Sequence, residues 1–183
     1  MVTGSHNPPS HNGFKIVFNN QPFFGRQIQQ LNKESINYVS KNKIGTLKSL
    51  DAQKNYTENL LNSLNQKKKL NIAWDAGNGA AGRVMKKLAQ QVSGEQIIMF
   101  DDIDGDFPNH HPDPSEEKNL FHLIQKVKSK KLDFGVAFDG DGDRLGIVDN
   151  LGRVIPGDIL LLLFAKNLLS KRKEITIVGD IKC

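Results

Sequence analysis

The sequence predicts an α/β fold: a mixed, largely parallel sheet with helices on both faces. Three observations carry that expectation. Short apolar runs alternate with longer stretches of helical period over roughly residues 52–153. Glycine-rich turns close several of the runs, notably in "DAGNGAAG" and "FDGDGDR". The segments "LGIVD" and "RVI", joined across "NLG", add an antiparallel hairpin to the otherwise parallel pattern.

In chain order, "FKIVF" (14–18) reads as a strand and residues 25–42 as a helix with apolar positions at helical spacing. Residues 45–51 form a connector, and a helix follows to about Lys68. Strands are expected at 70–75, 96–100 and 132–139, with helices after Gly79 and across 116–130. The hairpin comes next, then a helix with Pro156 at its first position running to about Ser170. "ITIVGDIKC" reads as one more strand or its exit. Both ends look cut: "MVTGSH" opens on what reads as the end of a strand, and the last strand has nothing after it to cover it.

The bulk properties narrow the function classes. The chain has 183 residues, 38% hydrophobic and 25% charged, which is the balance of a soluble globular protein. A single cysteine, Cys183, excludes an internal disulfide framework and fits a reducing compartment. The longest apolar run, residues 159–165, is far short of the ~20 residues of a membrane span. With no secretory leader in the sequence, a cytoplasmic location and no membrane partner are expected. The net charge of +5 lies largely in lysine runs at 67–69 and 128–131, where cations suit helix C-termini. No arginine-rich or aromatic pattern accompanies them, so no nucleic-acid partner is expected.

"FDGDGDR" is the sharpest chemical signal. Asp139, Asp141 and Asp143 alternate with glycines directly after an apolar strand, at the end where α/β ligands bind. Three clustered carboxylates repel without a cation, and oxygen ligands select a hard one such as Mg2+. An EF-hand is excluded, because its sixth position is Arg144 rather than glycine and its twelfth is Asn150 rather than Glu. "GNGAAG" (77–82) matches the dinucleotide-binding pattern, with Asp101 and Asp102 at the next strand's end; a tight structural turn explains it equally well. His6, His11, His110 and His111 lack the cysteine or H-E-x-x-H context of zinc, and "FPNHHPDP" reads as a stiff extended loop. "TGSHNPP" sets the lone hydroxyl of Ser5 in a rigid loop rich in hydrogen-bonding groups.

Taken together, "TGSHNPP", "GFKI", "DAGNGAAG", "GDFPNHHPDP" and "FDGDGDR" resemble the α-D-phosphohexomutases, in their bacterial phosphomannomutase/phosphoglucomutase branch. The likeness runs along nearly the whole chain with the motifs in family order. The resemblance implies a phosphotransferase of carbohydrate metabolism that moves phosphate between the 1- and 6-positions of a hexose through a phosphoserine and Mg2+. It implies that residues 1–51 end a first domain, 52–153 form a second and 154–183 start a third, the flanking pieces being partial domains of the same type. By the same resemblance Ser5 carries the phosphoryl group and, with Asp139, Asp141 and Asp143, ligates the metal. Lys15 and His6 are then catalytic, Arg144 and Lys182 contact substrate, and "GNGAAG" starts a structural helix. Glucose 1,6-bisphosphate is the expected type of activator, and a hexose phosphate the substrate. Because the later domains are missing, the chain alone is expected to be poorly active. The alternatives are an inactive Mg2+-binding remnant, or one half of a split enzyme whose partner chain carries the rest.

Overall fold

The computed structural model describes residues 1–36, 45–64, 68–172 and 174–179. The N-terminal segment is a hairpin around the serine loop. Thr3 N–H donates to the Gly13 carbonyl at 2.9 Å and Lys15 N–H to the Met1 carbonyl at 2.9 Å, so residues 4–12 are held as a closed loop. β1 (Ile16–Phe18) then turns back into β2 (Gln21–Phe23). Asn19 and Asn20 make that turn with φ of 48° and 59°, the left-handed pair that a tight hairpin needs. α1 (Arg26–Ser35) follows; the remainder of the helix expected over 25–42 lies outside the described residues from 37 onward.

The main sheet has the order β4-β3-β5-β6-β7, with β3 (Ile72–Asp75), β4 (Gln96–Met99), β5 (Phe134–Phe138), β6 (Leu145–Asp149) and β7 (Val154–Ile155). β3 is parallel to both β4 and β5, whereas β5, β6 and β7 pair antiparallel. The sheet is therefore mixed, as the hairpin signature predicts.

Helices cover both faces. α4 (Phe121–Lys130), entered through a 3-10 turn at Glu117–Leu120, buries Leu123 and Val127 against Ala73, Ala137 and Val148. The alternate residues Trp74 and Phe138 face α2 (Gln53–Asn62) and α3 (Gly82–Ala89), where Leu60, Val84 and Leu88 line the crease. This alternation follows from the two-residue repeat of a strand. α4 ends with Lys128 and Lys130 in its last turn and Lys131 in a left-handed cap, which suits cations at a helix C-terminus.

Two expectations are corrected at the end of the chain. Pro156 precedes α5 (Gly157–Lys171) as its N-cap, with ψ of 149°, rather than standing inside it. Residues 174–179 form no strand: Val178 is 86% exposed, and a strand needs a hydrogen-bonded neighbour, which these residues lack among the described ones. No helix of the described residues is long and apolar enough to cross a membrane.

Candidate active site

Asp75 ends β3 and Asp139 directly follows the adjacent parallel strand β5, at the carboxyl edge of the sheet where the chain must leave each strand. The aspartate loop, 139–144, joins β5 to the antiparallel β6 and so returns on itself within six residues. Gly142, at φ 75°, makes the bend that non-glycine residues resist, and its N–H donates to the Asp139 carbonyl at 3.0 Å. The result is convergence: Asp139, Asp141 and Asp143 each offer an oxygen within 4.8 Å of the other two. Asp139 is fully buried, and its Oδ1 accepts the Arg144 N–H at 3.0 Å.

The serine loop reaches this cluster from the other end of the sequence. Ser5 Oγ lies 2.9 Å from Asp139 Oδ2 and 3.2 Å from Asp141 Oδ1, so its proton can be given to either carboxylate. His6 Nδ1 is 3.1 Å from the same Oγ. Ser5 itself has φ 50°, a left-handed conformation that costs a non-glycine residue energy and recurs at functional sites. Its N–H donates to Thr3 Oγ1 at 2.9 Å, and Thr3 Oγ1 in turn donates to Asp141 Oδ2 at 2.9 Å. The two loops are thus tied by side chains on both sides of the hydroxyl.

Lys15 completes the cluster. Its Nζ donates to Asp143 Oδ2 at 2.9 Å and Asp141 Oδ2 at 3.1 Å, and these two bonds raise its pKa above the usual lysine value. Burial pushes Asp141 upward, but the bonds from Thr3, Lys15 and Ser5 outweigh it and hold the carboxyl below its ordinary range. Arg144 extends an exposed side chain next to the loop; its charge acts on Asp113 of the loop before the 3-10 turn. Asp113 is drawn below the ordinary carboxylate range: burial opposes the shift, and bonds from the Ser115 hydroxyl and N–H overcome it, aided by the charge of Arg144.

Ser5, His6, Lys15, Asp139, Asp141 and Asp143 therefore meet at one point, with Arg144 at its margin. Lys182 lies outside the described residues. The oxygen donors suit a hard divalent cation: three carboxylates and a hydroxyl, with no nitrogen or sulfur in the set.

The glycine-rich turn is occupied by protein. The N–H groups of Gly77, Asn78, Gly79, Ala80 and Gly82 donate to Asp75 Oδ1 and to the carbonyls of Phe100, Ala76, Gly140 and Gly79, respectively. A dinucleotide fingerprint needs such groups free to cradle pyrophosphate. Here the Ala80 N–H supports the aspartate loop at Gly140, and a Cβ on Gly79 would come 2.7 Å from that Gly140 carbonyl.

Two contributors escape a reading of the sequence. Thr3 is one. The other is the pair formed by buried Asp75 and His110, whose Nε2 is 3.1 Å from both carboxylate oxygens. The position of Asp75 at a strand end was the signal available for it; nothing local links it to a histidine 35 residues on.

The fold and site define an α/β protein with a serine hydroxyl set into a carboxylate cluster at the carboxyl edge of its sheet. Comparison with known families gives that class its name. Residues 54–152 match the family described as phosphoglucomutase/phosphomannomutase, alpha/beta/alpha domain II. The chain belongs to the phosphoglucomutase/phosphomannomutase family. It is 40% identical over 183 residues to a phosphomannomutase/phosphoglucomutase of Pseudomonas aeruginosa, and 40% identical over 184 residues to a phosphoglucomutase of Neisseria gonorrhoeae. In each case all of this chain aligns with 40% of the relative, so the chain spans well under half the length of these proteins. A crystal structure of a family protein from Burkholderia thailandensis superposes on 93% of the chain, with 37% of its own length, at TM-score 0.86 and 42% identity.

Proposed function

We propose that this chain carries the phosphoserine and metal loops of a phosphohexomutase, which moves phosphate between the 1- and 6-positions of a hexose. The observation that supports this best is the Ser5 hydroxyl, 2.9 Å and 3.2 Å from two carboxylates of a three-aspartate cluster. In this reading residues 1–51 belong to a first domain, 52–153 to a second and 154–183 to the start of a third.

The roles follow from charge and reach. Phosphoserine brings roughly −1.5 to −2 charges next to three carboxylates, so the site needs several cations. Mg2+ held by Asp139, Asp141, Asp143 and the Ser5 group would neutralise the cluster and draw electron density from the phosphoryl oxygens. Arg144 offers a fork of donors matched to phosphate, and His6 Nδ1 steadies the oxygen of Ser5. When the phosphoryl group leaves Ser5, the O–P bond at Oγ breaks, a new one forms at the sugar oxygen, Lys15 as free amine takes the proton of the sugar hydroxyl, and Oγ is left as an oxyanion, which a cation held by the aspartates would balance until phosphate returns to it. In the return step the sugar oxygen leaves phosphorus and recovers that proton from the Lys15 ammonium, the form that Asp141 and Asp143 favour. Lys182 is assigned a substrate contact from the resemblance alone.

The reading is tested by incubating the chain with glucose 1,6-bisphosphate and Mg2+, then locating phosphate by mass spectrometry. Phosphate on Ser5, abolished by Ser5→Ala and by chelation of the metal, supports it. Phosphate on Ser10 instead would overturn the assignment.

A further inference from the structure

Asp75 and His110 lie outside the aspartate loop, yet two sets of contacts lead from them to it. Asp75 is fully buried, and its two oxygens each stand 3.1 Å from His110 Nε2, while Oδ1 also accepts the Gly77 N–H at 2.8 Å. His110 Nδ1 is 3.0 Å from the carbonyl of its neighbour His111. With an acceptor at both nitrogens, the ring is fixed in its plane and can donate from both. Phe100, held in a left-handed conformation at φ 53°, packs edge-on against His110 with ring centres 5.4 Å apart.

From this anchor two paths reach the loop. Along the first, Gly77 leads to Ala80, whose N–H donates to the Gly140 carbonyl at 2.9 Å. Along the second, the chain runs from His110 to the fully buried Pro112, close beside both ends of the first path. A Cβ on Gly77 would lie 3.2 Å from Pro112 Cβ, and one on Gly140 would lie 3.5 Å from Pro112 Cγ. Asn109 Nδ2 ties the segment to Asn78 Oδ1 at 2.7 Å. The segment 109–112 is thus a clasp closed on the glycine turn, with the backbone of Gly140 resting on both.

We propose that the buried Asp75–His110 pair is the positioning element that holds the aspartate loop in its converged shape. His110 touches neither Ser5 nor any of the three aspartates in the described contacts; it acts through Gly77, Ala80 and Pro112. The inference rests on the reading of the loop as the cation site only for its consequence for metal binding. The loop geometry itself is independent of that reading. A buried carboxylate whose partner is removed is costly, and its surroundings rearrange to readmit water. Here the surroundings are the turn that carries Gly140.

The test is backbone hydrogen exchange on the full 183-residue chain without metal, in the wild type, His110→Ala, His110→Gln and Asp75→Asn. In His110→Ala, the amides of Ala80, Gly142 and Arg144 exchange at least tenfold faster, while Asp149 at the far end of β6 keeps its protection. His110→Gln, which can still donate to Asp75, restores most of the protection, an outcome that packing at position 110 alone does not give. Should His110→Ala fail to fold, Asp75→Asn, which keeps the shape but not the charge, gives the same local acceleration. Unchanged loop amides, or an equal rise at Asp149, would overturn the proposal. Mn2+ titration followed by electron paramagnetic resonance separates the two ideas. A wild type that takes up no Mn2+ refutes the cation site while the exchange pattern still decides the clasp. Binding at least threefold weaker in His110→Ala, restored in His110→Gln, extends the clasp to the metal.

Discussion

A Cβ on Gly140 would collide with the carbonyl oxygen of Ser5. The two loops, 135 positions apart in the chain, therefore approach backbone to backbone, and a side chain between them would force them apart. The hydroxyl of Ser5 reaches Asp139 and Asp141 because of that approach. Gly140→Ala is expected to break it. Incorporation of phosphate at Ser5 should fall at least a hundredfold, with a loss of stability of about 1–3 kcal/mol as the serine loop shifts. Mass spectrometry and urea unfolding measure both; wild-type incorporation in this variant would show that the approach is dispensable.

How much of this was legible in the sequence depends on range. Runs such as "IAWD" and "FGVAF" announce strands because the pattern is local, and the aspartate loop is visible because its three carboxylates lie within five residues. Ser5, His6 and Lys15 were identified through resemblance, and the structure places them against residues more than 120 positions away. Thr3 and the Asp75–His110 pair had no local signature, since their partners are fixed only by the register of parallel strands and by loop closure. Residues 174–179 form no strand, because an apolar, β-branched run specifies extended backbone but not a neighbour to pair with.

Asp141 is the carboxylate shared by all the partners, accepting from Thr3, Ser5 and Lys15. Asp141→Asn removes one ligand charge and replaces an acceptor by a donor facing Lys15. Affinity for Mg2+ should weaken at least tenfold, about 1.4 kcal/mol. Calorimetric titration decides it, and equal affinities would remove Asp141 from the site.

Lys15 and a divalent cation make opposing claims on the same oxygens. Its ammonium lies 2.9 Å from Asp143 and 3.1 Å from Asp141, so it competes for the charge that would draw in metal. Lys15→Met should therefore bind Mg2+ more tightly than the wild type, while phosphate exchange at Ser5 slows by roughly 10²–10⁴, the range for loss of a general acid or base. Tighter metal with slower transfer separates a proton-transfer role from a structural one. If both quantities fell together, Lys15 would instead be a support of the loop.

His110 gives the molecule a contribution to stability that is lost as pH rises. Burial lowers its pKa, but the hydrogen bond and charge of Asp75, with the bond to the His111 carbonyl, carry it above the ordinary histidine value of about 6.5. The groups that face it are Asp75 from β3, His122 from α4 at a ring separation of 6.5 Å, and the neutral Phe100 after β4. The sign follows from linkage: a group with a raised folded pKa contributes fully below its unfolded value, and loses that contribution as pH rises through the folded value. Stability should thus be at its full value below about pH 6.5 and decline on the alkaline side of it. Urea midpoints at about pH 5.5 and about pH 8.5 measure the decline, and the C2 proton resonance of His110 reports the midpoint directly. His110→Gln cannot titrate and should flatten this part of the profile. In Asp75→Asn the imidazolium loses its counter-charge while its burial is kept, so the histidine midpoint should fall below that of the wild type. A wild-type His110 midpoint at or below 6.5 would show that burial, not Asp75, sets its charge.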